Sequence, residues 1–384
     1  MPRALFERFP ALKGRLAYHR LGNFPTAIER VDGLLPPQVE LFVKREDQAA
    51  ALYGGNKVRK LELLLADPQL AGPAARRDQA PGGAPELRPG LAPEPERGGE
   101  PSTQTPRLIA YGTYASNYTL ATGLFGRALG YEVSAVLYPQ PVTPLVQARL
   151  REQLGAGMRL FVSRSYLHVP LMRARARREG PVVELAPGGS SPLGTLGWVA
   201  GGLEIAEQVR AGAAPRFDVV YAALGSGGMV AGLWLGLGEA AAELCAVRVV
   251  PWPIASRTTV RWLAGRTEAL LRRLHALGGA APPPLPPRPE LRLDGRWVGA
   301  GYAHPTPAAL AAIERTAACG LYLEPTYTGK TMAALLADAA AGRLNGKRVL
   351  FIHSYNSVDL SALRERGDAQ ALPKWLAARA APGG

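Results

Sequence analysis

Between residues 107 and 185 short apolar runs alternate with amphipathic stretches, and this alternation restricts the fold more than any other feature of the chain. Residues 108–112 read as a strand, 113–117 as a polar turn, and the next stretch as a helix with Leu120, Leu124 and Leu129 on one side. The unit then repeats, with strands at 132–138, 158–162 and 182–185 separated by helices at 143–154 and 169–179. Strands joined through helices lie parallel, and a parallel sheet must be covered on both faces.

A second lobe follows the same logic. A helix is expected from Leu196 to Val209, then a strand over 217–224, a glycine loop, and a helix over 229–244. Residues 219–238 carry no charge and are long enough to raise the question of a membrane span. Gly225-Ser226-Gly227-Gly228 divides that run into strand, loop and buried helix, so no membrane segment is expected. Residues 280–289 are Pro-rich; beyond them helices are expected at 307–319 and 330–340, and a buried strand at 349–353. Residues 72–106, mostly Pro, Gly, Ala, Arg and Glu, read as a disordered insertion.

With 384 residues, 47% of them hydrophobic, the chain can form two lobes. The net charge of +14 raises nucleic acid as a partner. The arginines are spread along the chain without interleaved aromatics or a recognised module, so an acidic small ligand fits better. Cys245 and Cys319 lack metal-ligand spacing and read as core residues. The first 18 residues are broken by Arg3, Glu7, Arg8 and Lys13 and lack a signal-peptide core, which makes a cytoplasmic enzyme the expectation.

The chemistry is expected at the carboxyl ends of the strands. There, Tyr53-Gly54-Gly55-Asn56-Lys57 turns from a strand-like run into a helix, with Asn56 as N-cap and Val58, Leu61 and Leu65 at helical spacing. Lys57, Arg59 and Lys60 are three cations at the positive end of a helix dipole, which calls for a bound anion. The same field lowers the pKa of Lys57 and favours a neutral amine that attacks carbonyls. The plain alternative is a solvated basic helix start.

Gly225-Ser226-Gly227-Gly228, between strand and helix, reads as a phosphate cradle. A dinucleotide fingerprint would need Gly or Ala at Val230, and a P-loop would need glycine at Glu324, so neither nucleotide motif holds. Ser354 ends a buried strand; Ser116 and Asn117 open a helix, where one of them serves as an N-cap; Tyr302 and Tyr327 read as core-edge aromatics.

Gly-Gly-Asn before Lys57, Ser116-Asn117, Pro187-Gly188-Gly189-Ser190, Leu193-Gly194-Thr195-Leu196-Gly197, the 225–228 loop, Gly301-Tyr302 and Glu324-Pro325-Thr326-Tyr327-Thr328-Gly329-Lys330 occur in the order of one family. The chain resembles the pyridoxal-phosphate enzymes of the 1-aminocyclopropane-1-carboxylate deaminase and D-cysteine desulfhydrase family, of the tryptophan synthase β-subunit fold type. The resemblance implies an α/β, two-domain fold type II enzyme, each domain a mostly parallel sheet covered by helices. Residues 1–58 and 197–384 would form the larger, cofactor-holding domain and 59–196 the smaller.

It further implies that Lys57 carries pyridoxal 5'-phosphate, with Lys60, Gly225, Ser226, Gly227, Gly228 and Met229 at the phosphate, Asn117 at the ring hydroxyl and Ser354 at the ring nitrogen. Ser116 would face the substrate carboxylate, Lys57 would move the α-proton, and Tyr302 and Tyr327 would assist the leaving group. A hydroxyl at the ring nitrogen suits β-elimination. Tyr327 to Lys330 and Ser354 look like the desulfhydrase branch, so a lyase or deaminase of a small amino acid, most like D-cysteine desulfhydrase and homodimeric, is the leading expectation. Ring opening of the aminocyclopropane substrate and a non-catalytic ligand-binding relative are the alternatives. Tyr118, Met229, Tyr355 and Asn356 depart from the family pattern, and the last two are expected to reshape or crowd the pocket.

Overall fold

A computed structural model describes residues 3–67, 107–178, 180–279 and 281–378. The expected insertion at 72–106 lies outside them. In chain order the strands are β1 (Ile28–Val31), β2 (Glu40–Lys44), β3 (Arg107–Thr113), β4 (Glu132–Tyr138), β5 (Arg159–Val162), β6 (Val183–Glu184), β7 (Phe217–Leu224), β8 (Ala241–Arg248), β9 (Glu290–Asp294) and β10 (Arg348–Ile352). The helices are α1 (Arg3–Arg8), α2 (Lys57–Leu64), α3 (Asn117–Ala128), α4 (Pro144–Gly155), α5 (Val169–Arg177), α6 (Pro192–Arg210), α7 (Gly228–Gly236), α8 (Arg257–Ala276), α9 (Pro307–Ala317), α10 (Thr328–Ala340), α11 (Ser361–Arg366) and α12 (Lys374–Ala378).

The chain forms two compact units, residues 1–63 with 190–357 and residues 64–189 with 358–384. In the first, six strands run in the order β1-β2-β10-β7-β8-β9, all parallel except the β1–β2 pair. Every residue of β7 but Asp218 is buried, because alternate side chains enter two separate cores. Val220, Ala222 and Leu224 pack with Val230 and Leu233 of α7, Leu196 of α6 and Val260 and Leu263 of α8. Val219 and Tyr221 pack on the other face with Ala312 of α9 and Met332 and Leu335 of α10. A strand buried on both sides is the continuous apolar run seen in the sequence.

In the second unit four parallel strands run β5-β4-β3-β6, with Ile109, Tyr111 and Val136 against Met172 and Ala176 of α5. The C-terminal residues belong here, although the sequence reading assigned them to the larger domain. The reason is close packing of α11 on α4. A Cβ on Gly155 would stand 1.9 Å from the Leu363 carbonyl oxygen, and Arg364 pairs with the buried Glu152 at 2.9 Å.

The expected helix over 229–244 is also corrected. It ends at Gly236, and Gly238, at φ 55°, turns the chain into β8. Among the described residues no helix is long and apolar enough to cross a membrane.

Below α2 lies a buried charge cluster. Arg59 donates through Nε and Nη2 to the Glu46 carboxylate at 2.8 and 2.7 Å, and through Nη1 and Nη2 to Glu204 at 3.0 and 2.8 Å. Lys44 donates to Glu204 at 2.6 Å and to the Thr26 carbonyl at 2.7 Å, and the Thr26 hydroxyl donates to Glu46 at 2.7 Å. Two cations thus face two carboxylates, and the Arg59 and Lys44 charges hold Glu204 down at about 2. Removing one member leaves an uncompensated buried charge. Arg59→Met should lower the stability of this unit by about 3–5 kcal/mol, read as an earlier urea transition of the intact protein. Because the Glu204 pKa is depressed on folding, its contribution is complete above about pH 4.5 and fades as the pH falls towards 2. Acid titration of wild type should show that loss, and Glu204→Gln should remove it.

Candidate active site

The turn from Tyr53 to Asn56 is pinned on both sides before α2 begins. The Gly55 N–H donates to the Glu46 carbonyl at 2.7 Å, the Asn56 N–H to the Ser354 carbonyl at 3.1 Å, and the Trp198 indole N–H to the Asn56 carbonyl at 2.9 Å. Gly55 sits at φ 89°, and a Cβ there would lie 2.8 Å from the Ser354 oxygen, so glycine is required. The chain leaving β10 therefore shapes the turn that presents Lys57.

Asn356 takes part. Its Oδ1 accepts the Gly54 N–H at 2.6 Å, so this departure from the family pattern braces the lysine turn. Met229, another departure, places its sulfur 3.5 Å from the Asn56 amide nitrogen.

The three cations of α2 have different fates. Arg59 is consumed by Glu46 and Glu204 and is not available to an outside anion, which corrects the expectation drawn from the sequence. Lys60, fully buried, donates to the Ser190 hydroxyl at 3.0 Å, and Ser190 shares a 2.6 Å hydrogen bond with the Ser226 hydroxyl. Burial and the neighbouring Lys57 hold the Lys60 pKa well below its usual value. Lys57 is partly buried, and desolvation lowers its pKa to about 8. Burial is a cause that the sequence did not show, beside the place of Lys57 at the first turn of α2.

These groups surround the start of α7. Gly227 occupies the N-cap at φ 90° with no side-chain cap. At Gly228 a Cβ would stand 2.7 Å from Lys60 Nζ and 2.8 Å from Ser190 Oγ, so side-chain absence keeps the space between loop and lysine open. An ammonium, two hydroxyls and helix-start N–H groups suit a phosphate monoester, and an adjacent amine of lowered pKa suits a carbonyl carried with it. In the sequence Ser190 is the last residue of the Pro187-Gly188-Gly189-Ser190 motif. Its position before a proline-capped helix gave no sign that it would meet Lys60.

Tyr327 immediately precedes α10, and its ring borders the same loop, since a Cβ on Gly225 would meet Tyr327 Cε1 at 3.2 Å. Its hydroxyl lies 2.7 Å from the Tyr302 hydroxyl. Burial first, and Tyr302 second, raise the Tyr327 pKa well above that of a free phenol. Glu324 fixes this corner by accepting the N–H groups of Thr326, Tyr327 and Thr328 at 2.7, 2.7 and 2.8 Å. The first unit thus brings together Lys57, Lys60, Gly225, Ser226, Gly227, Gly228, Met229, Tyr302, Tyr327 and Ser354 in one set of contacting segments. Ser116 and Asn117 belong to the second unit, where the Ser116 hydroxyl caps α3 by accepting the Thr119 N–H.

A family model described as pyridoxal-phosphate dependent enzyme matches residues 19–354. A D-cysteine desulfhydrase of Salmonella paratyphi A is 28% identical over 92% of this chain and 96% of its own. A nocardicin C-9' epimerase of Nocardia uniformis subsp. tsuyamanensis is 32% identical over 74% of this chain and 76% of its own. A crystal structure of an ACC deaminase homologue superposes with a TM-score of 0.68 at 25% identity, covering 94% of this chain and all of its own.

With its pKa at about 8, about one Lys57 amine in ten is neutral at pH 7, against fewer than about one in a thousand for an ordinary lysine. Reductive methylation mapped by mass spectrometry should label Lys57 ahead of the exposed lysines at pH 7, with a rate that rises and levels off near pH 8. A rate still climbing at pH 10 would contradict the desolvated amine.

Proposed function

Because the chain belongs to the pyridoxal-phosphate dependent enzyme family, it is a pyridoxal-phosphate-dependent lyase or deaminase, and we propose that it eliminates the β-substituent of a small amino acid of the D-cysteine type. With D-cysteine and water the products are keto acid, ammonia and hydrogen sulfide. The reading extends, on the motif resemblance, to a homodimer in the cytoplasm.

Bound pyridoxal phosphate supplies the electron sink that makes an amino-acid Cα proton removable. Lys60, Ser190, Ser226 and the N–H groups at 227–229 would hold its phosphate, Lys57 its carbonyl carbon and Ser354 its ring nitrogen. Lys57 Nζ would take the Cα proton; burial lowers its pKa to about 8, so a share of it is the neutral amine that a base must be near physiological pH. Burial likewise keeps the Tyr327 phenol protonated, and its hydroxyl, 2.7 Å from that of Tyr302, would hydrogen-bond the departing sulfur. The roles of Ser116 and Asn117, at the substrate carboxylate and the ring hydroxyl, rest on the sequence motif alone.

The observation that carries the reading is the pairing of a desolvated lysine with the Lys60–Ser190–Ser226 cradle one helical turn away. Purified protein should absorb in the visible; borohydride should abolish the band and add the cofactor mass to Lys57. Lys57→Ala should lose about 100- to 10,000-fold in sulfide release from D-cysteine, the range of one acid–base group. A protein that stays colourless with added pyridoxal phosphate would overturn the proposal. A yellow protein that exchanges the substrate α-proton with solvent deuterium but releases no sulfide would move the assignment towards epimerisation, the activity in the name of the Nocardia relative.

A further inference from the structure

The segment between β9 and α9 carries Tyr302 on backbone with unusual dihedral angles. Gly299 and Gly301 lie at φ 64° and 141°, and Ala303, at 62°, is the one non-glycine residue with positive φ among the described residues. A left-handed alanine is strained and persists only where its surroundings impose it. Here a turn closes over Tyr302 and Ala303, the His304 N–H donating to the Gly301 carbonyl at 3.4 Å, and Lys330 holds the start of that turn. Its side chain is fully buried, and its Nζ donates to the Val298 carbonyl at 2.8 Å and to the Gly301 carbonyl at 3.2 Å.

Lys330 is the third residue of α10, where a cation opposes the helix dipole and a buried ammonium costs solvation. A lysine in that position needs a reason beyond packing. The reason lies in what the helix start already holds: Tyr327, just before α10, meets the Tyr302 hydroxyl. One rigid helix end therefore grips the 298–303 segment twice, by ammonium to its carbonyls and by phenol to its phenol.

We propose that Lys330 is a positioning residue, which sets the Tyr302 hydroxyl against Tyr327 by fastening the backbone at Val298 and at Gly301, on either side of Gly299. The catalytic use of the pair rests on the reading in the preceding subsection, whereas the fastening is a property of the chain alone. The two can be tested apart.

The first arm titrates the tyrosines of cofactor-free protein by phenolate absorbance, for wild type, Lys330→Met, Tyr302→Phe and the double variant. With the strap removed, the Tyr302 hydroxyl leaves its contact with Tyr327, so the phenol titration of Lys330→Met should depart from that of wild type, a phenol gained near the ordinary value of about 10 being the one freed from that contact. Tyr302→Phe and the double variant should titrate alike. The second arm measures cofactor-loaded protein. Lys330→Met should keep the visible band of wild type, lose about 10- to 100-fold in kcat, as misplacement of a reacting group by about 1 Å would cause, and change KM little. Lys330→Arg, which keeps a cation able to reach two carbonyls, should restore part of kcat, and it serves as the folded comparison where Lys330→Met is unstable.

A phenol titration of Lys330→Met superimposable on wild type would overturn the proposal, as would a gained phenol that persists in the double variant. A folded Lys330→Arg whose phenol titration and kcat lie between those of Lys330→Met and wild type supports it, and a folded Lys330→Arg no nearer wild type than Lys330→Met counts against it. Loss of the visible band in every protein, wild type included, would count against the cofactor reading and leave the first arm intact as the test of Lys330.

Discussion

Arg59 is the contact on which the geometry of the site depends. Its guanidinium is planar and always charged, so once it enters the interior it must find carboxylates in the plane of its fork. Glu46, just after β2, and Glu204, in α6, supply them, and Lys44 completes the balance. A buried cluster of this kind adds little net stability over a well-packed apolar one. Its use is directional. Few placements of α2 satisfy four carboxylate hydrogen bonds at once, so the helix is set in register with β2 and α6, and with it Lys57 and Lys60.

The same arrangement divides the cations of α2. Arg59 has its counter-charges within the protein, whereas Lys60 donates to the Ser190 hydroxyl and is held at a low pKa by burial and by Lys57. Two amines three residues apart on a helix are neighbours on one face, and each opposes the charging of the other. A phosphate dianion would relieve both burdens, so binding it should return protons to Lys60. The glycines at 227 and 228 keep that place open, since a side chain at 228 would collide with the Lys60 amine.

Much of the fold was legible because its strands are buried on both faces. β4 and β7 occupy the residues read as strands from the sequence, 132–138 and 217–224. Helix ends were less legible where glycine and alanine carry little periodic signal; α7 stops at Gly236, eight residues before the expected end. Position in the sequence also misled for residues 358–378, whose place follows from α11 lying on α4. Within the site, residue types at strand ends pointed to Lys57 and the 225–228 loop, but partners distant in sequence were not readable. Ser190 meets Lys60 across 130 positions, Asn356 meets Gly54 across 302, and Arg59 looked like a ligand-binding cation until Glu204 was seen beside it.

Lys57 and Tyr327 show how one physical cause yields two opposite reagents. Burial penalises whichever form is charged. For the amine that form is protonated, so the pKa falls to about 8 and a base is present near neutral pH; for the phenol it is deprotonated, so the pKa rises and a proton is retained. For the amine no separate tuning charge is needed; for the phenol the Glu324 carboxylate acts in the same direction as burial. The phenol gains further from Tyr302, because ionising Tyr327 would set a charge against a second hydroxyl in the same dry corner. An exposed lysine and an exposed tyrosine would both be protonated at pH 7 and would offer an acid at each position. Burial raises the neutral share of the amine at pH 7 to about one in ten, from less than about one in a thousand, and that share is the base.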